Sequence, residues 1–195
     1  METNGDRGED GGWRRTLAFE DLDPGAVYDC GTRSAGAEEM VSFAERFDPL
    51  PIHVDPDHAD GGPFDGLIAS GIHTLALSQS AAVEGFFGGS AVVASGGFEE
   101  LRFPAPLHPD ETMRVEVEVL GTRVSESDPR RGVVRSRRTG RVEGTGTVVE
   151  ATDVTVWRLC MEYVSMIQAM TRSSVFTSGA GTSESGPRMS RMEAV

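Results

Sequence analysis

The sequence predicts an α+β fold in which an antiparallel sheet wraps around one long central helix. Two observations carry that expectation. "LIASGIHTLALSQSAAVEGFF", residues 67–87, holds few charges and many Ala and Leu, as a helix covered on nearly every face does. From about Ala91 the texture changes to alternation: Val115, Val117 and Val119 fall on one side of a strand, Glu116 and Glu118 on the other. The size agrees, since 195 residues with 38% hydrophobic content suit one ordinary domain with some tail, or at most two very small ones.

Residues 1–12 are polar and Gly-rich, so they are expected to be disordered. Pro24-Gly25 marks a turn before a short strand. In "GAEEMVSFAERF", Met40, Val41, Phe43, Ala44 and Phe47 recur at helical spacing, with Glu38, Glu39, Glu45 and Arg46 opposite. Gly36 is an acceptable N-cap and Glu39 stands where a capping-box acid belongs. Pro49 ends this helix, because the residue before a proline avoids the α region. Asp48 therefore sits just past a helix end, on a loop stiffened by Pro49 and Pro51. The buried helix is expected to start at Ser70-Gly71, with Ser70 as N-cap. "AVVASGGFEELRFPAPL" and "TMRVEVEVLGTRV" read as strands, and residues 130–159 as two or three more. The domain is placed at residues 13–160. Residues 161–195 begin apolar and become Ser/Gly/Met-rich, which suggests a short helix and a largely disordered tail. There is no internal repeat.

Net charge is -13, and all 18 basic residues are Arg. Such a surface repels nucleic acid and anionic lipid, so neither is an expected partner. It suits solubility in concentrated salt, although a GC-rich genome would also replace Lys by Arg. Two cysteines, Cys30 and Cys160, make no disulfide framework, and a reducing cytoplasm is the expected compartment. The acidic start has no apolar run, so no signal peptide is expected, and the longest uncharged stretch is too short and polar to span a membrane.

"FDPLPIHVDPDHA" raises the functional question. Asp48 and His53 stand five positions apart with two prolines between them, either a working acid–imidazole pair or two polar residues on a Pro-rich turn. His53, Asp55 and His58 lie close together but lack a third strong ligand at a standard metal spacing, so no metal is expected. His73 either lines a cleft or sits hydrogen-bonded in the core, and the core reading is preferred. Arg130, Arg131, Arg135, Arg137, Arg138 and Arg141 could meet phosphates, but a solvated strand face guarding a sheet edge is the simpler account.

"FAERFDPLPIHVDPDHA", "FDGLIASGIHTLAL" and "GFEELRFPAPLHPDETMRVEVEVLGTR" together resemble the MaoC-like dehydratases, a family that includes the (R)-specific enoyl-CoA hydratases. The resemblance covers roughly Leu17 to Leu159 and implies a hot-dog fold. The family's D-x-N-P-apolar-H pattern matches at Asp48, Pro51, Ile52 and His53. It departs at Leu50, where Asn or Gln is usual, and at Phe47, where many members carry Gly.

The resemblance implies that Asp48 and His53 form a dyad on water, and that Gly71, preceded by Ser70 where many members have His, offers its N–H to the thioester oxygen. Some members place a Ser further along the helix near the acid. Ala76 stands about there, so that support is missing or comes from elsewhere. The implied activity is reversible hydration of a trans-2-enoyl-CoA to a (R)-3-hydroxyacyl-CoA, the reverse reaction being a dehydration. No cofactor is expected beyond the coenzyme A or acyl-carrier thioester that serves as substrate, and a homodimer is expected. Two alternatives stay open: a non-catalytic acyl-thioester-binding protein or partner subunit, and a hot-dog acyl-CoA thioesterase.

Overall fold

A computed structural model describes residues 17–176, with side chains as far as residue 170. The chain divides into two units, Met1–Cys160 and Met161–Val195. In the first, strand β1 (Val27–Arg33) leads to helix α1 (Ala37–Phe47), the short helices α2 (Pro51–Val54) and α3 (Pro56–Ala59), and α4 (Gly71–Ala82), which runs on as a π turn over Val83–Phe87. Strands β2 (Val92–Arg102), β3 (Met113–Val124), β4 (Arg131–Val142) and β5 (Gly146–Arg158) complete it. All ladders are antiparallel, in the order β1-β3-β4-β5-β2. The second unit holds α5 (Met161–Phe176), on which Met161, Met166 and Met170 are exposed. The expected disorder of residues 1–12 and of the distal tail lies outside the described residues.

The expected alternation holds in β3, where Val115, Val117 and Val119 are fully buried. They face α4, which lies on the inner side of the sheet against β1, β3, β4 and β5. Close approach of the π turn to β1 depends on Gly85, where a Cβ would stand 2.4 Å from the Cα of Cys30. Phe86, fully buried beside it, packs on Tyr28 and Trp157 with ring centroids 4.8 and 5.7 Å away.

Three expectations are corrected. The segment after Asp48, expected as a Pro-stiffened loop, holds two helical turns: Pro51 and Pro56 each open one, because a proline's fixed φ suits the first helical position and its missing N–H is not needed there. Glu39 forms no capping box, since Gly36 has no side chain to reciprocate; its carboxylate lies 3.5 Å from His73 Nε2 instead. The arginine-rich strand β4 guards no edge, for it runs between β3 and β5, and the edges are β1 and β2. Arg131, Arg135, Arg137 and Arg141 face outward, whereas Arg138 points inward and is fully buried.

Candidate active site

Asp48 is held by the end of α1: as C-cap its N–H donates to Ala44 O at 2.8 Å, and Pro49 prevents the helix from continuing. The α2 turn then brings His53 back beside it. His53 is buried, and its Nδ1 lies 3.0 Å from Ile68 O. A carbonyl only accepts, so Nδ1 carries the hydrogen and the neutral ring presents an unprotonated Nε2. That Nε2 stands 3.7 Å from Asp48 Oδ2, too far for a direct hydrogen bond and close enough for one water to touch both.

Ser70 anchors the arrangement. Its buried Oγ donates to Asp48 Oδ2 at 2.6 Å and accepts the Ile72 N–H at 3.2 Å, so one hydroxyl caps α4 and fixes the acid. The support that Ala76 does not give comes from here; Ala76 itself is exposed on α4. Ser70 thus acts through its side chain on Asp48 and does not line the cleft. Gly71 follows at the first helical position, where an N–H has no partner within the helix and the dipole is positive.

A cleft of about 240 Å³ opens at this amide end. His53, Phe64, Ile68, Ala69, Gly71, Thr74, Leu107 and Val148 line it, with Phe103 to Pro106 along one wall. His53 is the one titratable group among them, so the lining selects an uncharged, largely apolar ligand group. Val148 reaches the cleft through a β-bulge: Gly140 pairs with Val149 and Arg141 with Thr147, and the residue between is skipped.

His73 lies outside this lining. It stacks on Phe43, centroids 4.3 Å apart and planes at 7°, and its desolvated ring is pushed below the ordinary imidazole pKa, against the pull of Glu39. Asp55 caps α3 by accepting the His58 N–H, as a turn residue does. Arg135 pairs with Glu99, Arg137 with Glu118, and Arg130 and Arg131 with Asp128, so this stretch offers little free charge to a phosphate. Sequence reasoning gave no role to Phe103, Phe64, Thr74 or Val148; only "RFPAPL", an aromatic before a Pro-x-Pro run, carried a local signal.

Residues 22–141 match the family model described as MaoC like domain. The chain belongs to the MaoC-like family. This MaoC-like protein is similar to the uncharacterized protein YdeM of Bacillus subtilis, 34% identical over 53% of this chain and 74% of the relative. It is 32% identical to the 3-hydroxyacyl-thioester dehydratase Z of Mycobacterium tuberculosis, over 58% of this chain and 74% of that one. A MaoC-like dehydratase from Rhodospirillum rubrum superposes with a TM-score of 0.68 at 31% identity, over 74% of this chain and 99% of the other. The fold is the hot-dog fold, and the relatives place the chain with hydratases and dehydratases in general. Among the described residues no helix is long and apolar enough to cross a membrane.

Proposed function

We propose that this MaoC-like protein is a hydro-lyase that adds water across a trans-2-enoyl thioester, giving a (R)-3-hydroxyacyl thioester, and catalyses the reverse dehydration. The observation that carries this reading is the 3.7 Å gap between His53 Nε2 and Asp48 Oδ2 beside the amide end of α4. A water bridging these two atoms from one side donates one O–H to each group. His53 Nε2 takes one proton as the water oxygen bonds to the β-carbon, and the π electrons move onto the thioester oxygen. That oxygen accepts the Gly71 N–H, a type of contact worth about 3 kcal/mol in a transition state. The α-carbon then takes a proton from the dyad and the carbonyl reforms, so one water is added and no electrons are exchanged. Neither a metal nor a redox cofactor is required by this chemistry.

The (R) hand follows the resemblance to the (R)-specific enoyl-CoA hydratases. The substrate carrier is coenzyme A or an acyl carrier protein, and a cytoplasmic compartment suits either. A homodimer is the proposed assembly: β2 is an edge strand exposing Val93, Phe98 and Leu101, and edge-to-edge pairing would cover it.

Crotonyl-CoA hydration, followed as loss of enoyl absorbance, tests the reading. Asp48→Asn and His53→Ala should each lower the rate by about 10²–10⁴-fold. Wild-type rates in either variant would rule out the dyad. Release of free thiol in place of hydration would identify a thioesterase.

A further inference from the structure

The reaction described above leaves the wall from Phe103 to Leu107 without a part, although it borders the cleft along its whole length. Phe103 lies directly after the last residue of β2 and turns its ring onto the first residue of α4. A Cβ built on Gly71 would meet the Cε2, Cδ2 and Cζ atoms of that ring at 3.0, 3.1 and 3.2 Å. Gly71 does not have a positive φ, so nothing in its backbone demands glycine. Room for the ring does. At the same time Phe103 is 42% exposed, an aromatic face left in water at the mouth of an apolar cleft.

We propose that Phe103 is a substrate-contacting residue: the thioester lies against its ring when the thioester oxygen reaches the Gly71 N–H, and the bound ligand covers the ring's exposed face. This rests on the thioester reading of the site. A ligand group that reaches the Gly71 backbone comes close to the ring, because the ring stands within about 3 Å of where a Gly71 Cβ would be. Ring and ligand together then keep water from the N–H, and a hydrogen bond made in a low-dielectric setting is stronger. The same closeness couples the two residues. A methyl at Gly71 would push the ring by a few tenths of an ångström, so Gly71 and Phe103 do not act independently.

The test uses butyryl-CoA, a saturated thioester that cannot be hydrated, as a calorimetric probe, alongside crotonyl-CoA kinetics. Phe103→Ala should weaken butyryl-CoA binding and raise the crotonyl-CoA KM by about tenfold, with kcat changed less. Phe103→Tyr keeps the ring and should keep the affinity. Gly71→Ala should show a smaller loss, and the double variant Gly71→Ala/Phe103→Ala should be no worse than Phe103→Ala alone. Thermal midpoints check folding, and Phe103→Leu serves if the alanine variant unfolds. Wild-type affinity in Phe103→Ala, or a double variant whose loss is the product of the single ones, overturns the proposal. If the wild type binds butyryl-CoA but leaves crotonyl-CoA unchanged, while Phe103→Ala still weakens binding, the hydro-lyase reading fails and Phe103 keeps its role. A wild type that binds neither butyryl-CoA nor butyryl-acyl carrier protein removes both.

Discussion

Two buried polar pairs in this domain are built in opposite ways. Arg138 and Asp153 lie between α4 and the sheet, at 0% and 5% side-chain exposure, and contact each other directly through Nη2 and Oδ1 at 3.2 Å. Burial pushes the Asp153 carboxyl up and the Arg138 guanidinium down, and each charge pulls the other back. Gln79 also accepts from Arg138 Nη1, although Arg138 Nε, Asp153 Oδ2 and nearby Ser136 Oγ find no partner. Asp48 and His53 face each other without touching. Each is tied to a third group, Asp48 Oδ2 to the Ser70 hydroxyl and His53 Nδ1 to the Ile68 carbonyl, and His53 Nε2 stands 3.7 Å from that same Oδ2. The first pair bonds to itself; the second is oriented by third groups and its members do not bond to each other. A pair that bonds to itself has little to offer a third molecule.

That contrast can be broken by experiment, most sharply at Arg138. Arg138→Leu leaves Asp153 buried and alone, and should cost about 3–5 kcal/mol in urea unfolding. Adding Asp153→Leu should recover part of this loss, whereas Asp48→Asn should leave the unfolding midpoint almost unchanged. Equal destabilisation by Arg138→Leu and Asp48→Asn would erase the distinction. A smaller effect is expected at Ser70: Ser70→Ala frees the Asp48 carboxylate and should lower kcat for crotonyl-CoA about tenfold with little change in KM. It should also remove about 1 kcal/mol of stability through the lost cap. Ser70→Thr, which keeps the hydroxyl, should recover most of the rate.

Leu50 offers a milder test. It is the N-cap of α2, half exposed, and makes no side-chain cap bond. Leu50→Asn should add about 0.5–1 kcal/mol of stability while hydration rates stay the same, seen as a raised thermal midpoint. His73 gives the smallest effect. Its folded pKa lies below the unfolded value near 6.5, so the unfolded chain binds the proton first as pH falls. Stability present above pH 6.5 is therefore lost on acidification from there down through the folded pKa. Comparing urea midpoints over that range should show a shallower fall in His73→Phe, which keeps the stack on Phe43 and has no proton to bind. Identical slopes would remove His73 from the acid sensitivity.

The central helix was legible from its apolar run, and α1 and the strands from their periodicity, both local properties: the start at Ser70-Gly71 and the α1 span from Gly36 to Asp48 need only neighbouring residues. What escaped is tertiary. Ser70 and Asp48 are 22 positions apart, and nothing in either segment announces a bond between them. The bulge that turns Val148 into the cleft depends on pairing with β4, which no single strand reveals. Arg138 is an intermediate case. It shares the inward register of Val134, Ser136, Gly140 and Val142, but reading six arginines as one basic stretch hid the member that points inward. The helical turns at Pro51 and Pro56 were hidden by their length, since four residues show no period.

The ion pairs of the domain bear on how a ligand arrives. Arg33, Arg102, Arg114, Arg130, Arg131, Arg135 and Arg137 are each matched to a carboxylate of this same chain, so the surplus behind the -13 charge is left facing the solvent. A polyanionic carrier of the kind proposed above would diffuse in against a repelling field, and added salt, which slows so many charged encounters, should hasten this one.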